Sequence, residues 1–123
     1  MKLKNNLYRI LRFEDNVFTI ELIRDNIIYR SHFPEFPITP GVCIIQIGGE
    51  LLAEAYNKPL ELKQVSNAKF LSVIDPDVTK EVSYVIKKAV TEIIDGEERI
   101  KALFEVRNSD MIFSKLSLAY KVS

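Results

Sequence analysis

An α+β fold, with a curved antiparallel sheet wrapped around one buried helix, is what this sequence predicts, and three observations predict it. Residues 7–28 alternate apolar and polar side chains on either side of a polar turn, residues 41–56 are apolar over most of a helical wheel, and nearly everything after residue 60 reads as long strands. At 123 residues the chain suffices for one hydrophobic core and is short for two, so a single domain over 1–123 is expected.

The first pair of strands comes from "LYRILRF" and "VFTIELIRDNIIY", joined at "EDN". The segment "GVCIIQIGGELLAEAY", Gly41 to Tyr56, begins with residues that favour strands, but its length and its tail "ELLAEA" favour a helix. Pro40 suits a helix start, where its missing N–H costs nothing, and Thr39 before it is placed to cap. "NKP" at 57–59 ends the helix. Four strands then follow, over about Gln64–Ile74, Val78–Thr91, Arg99–Asn108 and Met111–Lys121, separated by turns at "DPD", "DGEE" and "NSD". Gly48 and Gly49 each cost about 1 kcal/mol against alanine in a helix interior, which predicts that another backbone approaches the helix there.

Composition narrows the function. Lysine plus arginine equals aspartate plus glutamate at 17 each, so net charge does not point to nucleic acid or an anionic membrane as partner. No apolar run reaches transmembrane length, and the start "MKLKNNLYRILRFEDN" lacks the apolar core and cleavage site of a signal peptide. The single cysteine cannot form an internal disulfide, and a cytoplasmic protein is expected. One histidine and one cysteine cannot build a zinc site, so Asp75 and Asp77, on either side of a proline, read as turn residues, and neither metal nor cofactor is expected. Cys43, in the first helical turn, reads as a small core residue before it reads as a nucleophile.

The most constrained stretch is "HFPEFPITPGVCIIQIGGE", residues 32–50, which holds the one histidine and three prolines at intervals of three. Proline fixes φ and keeps the residue before it extended, so Phe33, Phe36 and Thr39 belong to a stiff arm that delivers His32 near the helix. Taken by themselves the residues leave other readings open: a polyproline ligand for another domain, or a histidine that serves structure alone.

The same stretch resembles the active-site segment of the β-hydroxyacyl-[acyl carrier protein] dehydratases, whose pattern is H-F-P-G-x-P-x-x-P-G, a few apolar residues and then an acidic one. "AKFLSVIDPD" is similar to that family's K-F-x-x-P-V-x-P-G-D strand and turn, and the strand order agrees, so the likeness covers most of the chain. It implies a hot-dog fold and a homodimer, or an oligomer built of dimers, with sites at the interface. It also implies an acyl thioester substrate on acyl carrier protein or coenzyme A. Dehydration of a 3-hydroxyacyl thioester needs a base at C2 and an acid at the departing C3 hydroxyl. By resemblance His32 is the base, and the backbone N–H near Gly41, at the positive end of the helix dipole, polarises the thioester carbonyl. Phe33, Pro40, Gly41 and Val42 are the implied substrate-binding residues.

The chain departs from the pattern at two places. Glu35 stands where the family has glycine, and Gln46 stands where it has its acid, fourteen residues after His32. An amide cannot supply a proton at neutral pH. One turn on, where the family has glutamine, this chain has Glu50; residues four apart share a helix face about 6 Å apart along the axis, so Glu50 is a candidate relocated acid. Three functions are therefore expected in turn. The first is a dehydratase or hydratase with His32 as base, Gln46 as positioner and Glu50 as possible acid. The others are a noncatalytic acyl-thioester binding or auxiliary subunit, and a hot-dog thioesterase using Glu50 or Glu35 to activate water. Lys87 and Lys88 are a solvated pair or a contact for an acidic carrier protein.

Overall fold

The structure, a computed structural model, describes residues 2–31, 35 and 37–123. His32 and Phe33, expected as base and substrate contact, lie outside the described residues. The elements run β1 (Tyr8–Glu14), β2 (Val17–Leu22), α1 (Ile27–Ser31), α2 (Gly41–Tyr56), β3 (Leu60–Phe70), β4 (Glu81–Ile94), β5 (Glu97–Arg107) and β6 (Ile112–Val122).

The strands form one antiparallel six-stranded sheet in the order β1-β2-β4-β5-β6-β3. Two of the hairpin turns follow directly from residue type. Asp15 and Asn16 both take positive φ (53° and 63°), as do Asp95 and Gly96 (51° and 77°), the geometry that two-residue hairpins require and that Asp, Asn and Gly tolerate. At the third, the Asn108 side chain accepts from the Asp110 and Met111 N–H groups (2.8 and 2.9 Å). Register shifts in β1, β3 and β4 add local bends, which help the sheet curve.

That curvature gives the sheet an inner face. Along β5, Ile100, Ala102, Phe104 and Val106 are buried while Lys101 and Leu103 between them are exposed; Phe18, Ile20, Val82, Tyr84, Leu116, Leu118 and Tyr120 continue the buried set on the other strands. Helix α2 packs its Cys43, Ile44, Ile47, Gly48, Leu51 and Leu52 into this surface. It is also the crossover: the chain leaves the β2 side of the sheet, traverses it as α2 and lands on the far edge as β3. The Tyr84 hydroxyl, from β4, donates to the Ile44 carbonyl at 2.8 Å and pins the helix to the sheet.

Several expectations are corrected in detail. Residues 27–31 form a short helix and not the end of a strand, because the Asn26 side chain accepts from the Ile28 N–H (2.8 Å) and starts a turn. Thr39 does not cap α2: Pro40 is the cap residue, no side chain bonds there, and the Thr39 hydroxyl is engaged with Tyr29 instead. The third expected strand begins earlier, at Leu60, and stops at Phe70, where the Leu71 and Ser72 N–H groups both turn to the Phe113 carbonyl. β4 starts at Glu81, since Val78 and Thr79 close a turn on the Asp75 carbonyl. The glycine pair meets side chains, not another backbone: a Cβ on Gly48 would make ordinary contacts with Phe104 and Leu118, whereas one on Gly49 would lie 3.2–3.3 Å from the Tyr120 ring and hydroxyl. Finally, α2 is buried on one side only, and Val42 is 75% exposed.

Candidate functional site

The backbone leading into α2 is tied down over its last residues. Pro37 and Thr39 are buried, the Thr39 N–H donates to the Ile74 carbonyl (2.9 Å), and the Thr39 and Tyr29 hydroxyls lie 2.8 Å apart. Burial pushes Tyr29 up to about 12, so this pair keeps its protons at neutral pH. Pro37, Pro40 and these two bonds fix where α2 begins relative to α1 and to the segment entering the turn at 75–79.

In the first turn of α2 the Cys43 and Ile44 N–H groups return to the Pro40 carbonyl (3.0 and 3.1 Å), and no side chain caps the end. The Gly41 and Val42 N–H groups, at the positive end of a sixteen-residue helix dipole, have no partner among the described residues. Gly41 is glycine for a reason the sequence did not reveal. The half-exposed Phe70 ring from β3 lies against it, and a Cβ would come within 2.9 Å of the ring's far edge. Cys43 is buried, and burial pushes its thiol up, which removes the thiolate a nucleophile would need at neutral pH.

The outer face of α2 and the edge strand β3 enclose a groove of about 970 Å³. Val42, Ile45 and Ala53 line it from the helix, and Leu60, Leu62 and Val65 from β3. Gln46 and Glu50 stand on the same wall, and the Gln46 amide donates to the Glu50 carboxylate at 3.0 Å. The structure thus brings Val42, Gln46 and Glu50 onto one surface, while Pro40 and Gly41, which precede Val42 in the chain, are not among the residues that line the groove.

The neighbours of Glu50 were not legible in the sequence. Its Oε2 accepts from the Leu3 N–H (2.8 Å) as well as from Gln46, and its Oε1 accepts from the Lys4 N–H and the Tyr8 hydroxyl (2.9 Å each). Burial, then the bond to Glu50, raises Tyr8 well above an ordinary tyrosine, so it stays a donor. One turn further, Glu54 pairs with the Lys4 ammonium at 2.8 Å. The one sequence signal for this arrangement is a carboxylate in the middle of a mostly apolar helix, which must find donors if it is even half buried.

The remaining candidates lie elsewhere. Glu35, Lys87 and Lys88 are exposed. Asp77 pairs with Arg24 (2.6 Å) and the Asp75 side chain accepts from the Asp77 N–H (2.8 Å), so both serve the turn. Among the described residues no group of histidine, cysteine and carboxylate side chains could hold a metal ion, and no helix is long and apolar enough to cross a membrane.

A curved antiparallel sheet closed around one helix, with a groove between that helix and the sheet's edge strand, is a hot-dog fold. The chain belongs to the ApeI-like family, whose model, described as ApeI dehydratase, matches residues 12–113, a span that includes the arm, α2 and the groove strand. Among solved structures it is similar to a conserved protein of Pseudomonas aeruginosa (TM-score 0.60, 12% identity, 98% of this chain and 92% of that one). It is also similar to a putative thioesterase of Shewanella oneidensis (0.58, 12%, 95% and 83%). An uncharacterized protein of Erwinia carotovora subsp. atroseptica matches at 0.54 and 14%, over 94% of this chain and 92% of that one. At such identities these likenesses speak for the fold alone. No curated protein matches the chain.

Proposed function

We propose that this protein, as one hot-dog domain, acts on 3-hydroxyacyl or enoyl thioesters of fatty-acid-type metabolism, carried on acyl carrier protein or coenzyme A, as a dehydratase or hydratase. The observation that carries this reading is the uncapped N-terminal turn of α2 at the head of an apolar groove, in a chain of the ApeI dehydratase family. The acyl chain lies along Val42, Ile45, Leu62 and Val65. The thioester carbonyl faces the Gly41 and Val42 N–H groups, whose dipole stabilises the enolate that forms when C2 loses its proton. His32 takes that proton. Gln46 positions the C3 hydroxyl and, as an amide, does not supply the proton; the imidazolium of His32 returns it to the departing hydroxyl, so one residue both removes and delivers it and water leaves.

The reading also places two copies of the chain around each site. β3 is an edge strand exposed along most of its length, with Leu62, Val65 and Phe70 each more than two-fifths exposed, and it forms the open side of the groove. A long exposed edge strand is normally covered, and a second copy aligned along β3 would cover it and close the groove.

A second reading, thioester binding without turnover, is favoured by one observation: the two carboxylates on the groove wall, Glu50 and Glu54, are both engaged with the chain's own N-terminal residues. A panel of acyl thioesters tested for hydration, hydrolysis and binding separates the readings. Hydration of an enoyl thioester, lost in His32→Ala, is the expected result. Binding without product points to the second reading, and release of free thiol to a thioesterase.

A further inference from the structure

We propose that Glu50 is the positioning residue of the groove, fastening the N-terminal segment, residues 2–8, as one of its walls, and that it is not a proton donor. The proposal rests on the reading above only for what it predicts of turnover.

The geometry of the carboxylate carries it. A carboxylate offers about four lone-pair sites. Here the Leu3 N–H, the Lys4 N–H, the Tyr8 hydroxyl and the Gln46 amide fill them, two to each oxygen, at 2.8–3.0 Å. A general acid must turn an O–H toward substrate, and no oxygen of Glu50 can do so without giving up a bond to one of these donors. Three of the four donors come from 42 to 47 residues away in sequence, so their common partner is what brings the segment to the helix. Bonds to a charged acceptor are about twice as strong as neutral ones.

What the segment does once held is visible in its side chains. Leu3 is 2% exposed and belongs to the core, while Lys2 and Lys4 line the groove. The turn is closed by the Asn6 and Leu7 N–H groups on the Leu3 carbonyl, and Lys4 is braced by Glu54. Glu50 adds the two backbone bonds, at Leu3 and Lys4, that tie this turn to the helix and so set where the two lysines stand on that wall. The fourth bond extends the same control to Gln46, since an acceptor-only carboxylate holds the amide by its N–H face.

Glu50→Gln tests this, because an amide turns a donor toward donors and cannot accept all four bonds. Backbone amide exchange followed by NMR should show Leu3 and Lys4 exchanging about 10- to 100-fold faster, while Ile47 and Leu52 in the same helix change by less than about threefold. On an enoyl thioester the variant should raise KM several-fold and keep kcat within about threefold. Unchanged exchange at Leu3 and Lys4 in a folded variant overturns the proposal, as does a fall in kcat of about 100-fold or more at constant KM. If Glu50→Gln does not fold, Glu50→Asp, whose carboxylate falls one methylene short, decides on the same two amides. The exchange measurement needs no substrate, so an inactive wild type would remove the proposed function while the two amides still decide the anchor.

Discussion

The two ends of helix α2 treat their polar groups in opposite ways. At Glu50 every lone pair of a carboxylate meets a donor from the chain itself, and a few residues on, Asn57 in a left-handed conformation (φ 52°) closes the last carbonyls of the helix. At Gly41 no side chain caps the turn, and the aromatic ring that covers it is half exposed. A backbone group left without a partner costs free energy unless water or a ligand takes it. The satisfied end holds the fold together, and the end without a partner among the described residues is the one to which the proposed function assigns the thioester carbonyl. The acidic residue attracts attention first when the sequence is read for chemistry, yet it belongs to the satisfied end.

Substitutions that treat the two faces or ends alike should give unlike results. The largest difference expected is between the faces of the helix. Leu52→Ala removes a fully buried side chain and should cost about 2–5 kcal/mol in denaturant unfolding, while Val42→Ser on the groove face should stay within about 0.5 kcal/mol for the isolated chain. Equal losses would mean that a second copy already buries the groove face under the conditions of measurement.

Glycine-to-alanine exchange compares the ends themselves. At Gly49 the new methyl would press on Tyr120, which is 2% exposed and packed in the core, so Gly49→Ala should cost about 1–3 kcal/mol despite alanine's better helix propensity. At Gly41 the methyl meets the outer edge of Phe70, which has solvent to turn into, and the cost should fall below about 1 kcal/mol. The ratio reverses if Phe70 is clamped by a partner. Tyr84→Phe should cost about 1 kcal/mol by loosening the Ile44 end of the helix from β4, read in the same unfolding assay. The smallest effect is chemical: with its thiol pushed up by burial, Cys43 should react with iodoacetamide at pH 7 more slowly than a free cysteine, and should speed up only on unfolding.

Much of the fold was legible in local chemistry. Helix 41–56 ends where "NKP" predicts, because Asn57 accepts the left-handed conformation, and the Asp-Asn and Asp-Gly turns fall where their residue types require positive φ. What was illegible depended on distant partners. "IIY" at 27–29 carries β-branched residues that read as strand, and the Asn26 side chain, with the Tyr29 N–H on the Asn26 carbonyl, turns it into a helix. Thr39 has the chemistry of a cap, but the Tyr29 hydroxyl claims it. Glu50 stood out as an acid in a helix, yet its donors Leu3, Lys4 and Tyr8 follow no periodicity that links them to it. The four-residue spacing of Gln46 and Glu50 puts them on one helix face, and the structure keeps both on the groove wall.

One measurement tests the division between the two ends most directly: kcat for hydration of a single enoyl thioester by the wild type, His32→Ala and Glu50→Gln, side by side. The account predicts that His32→Ala loses about 10² to 10⁴ in kcat while Glu50→Gln keeps kcat within about threefold and raises KM. A loss in Glu50→Gln as large as that in His32→Ala would contradict it, and would make the carboxylate at the satisfied end the acid after all.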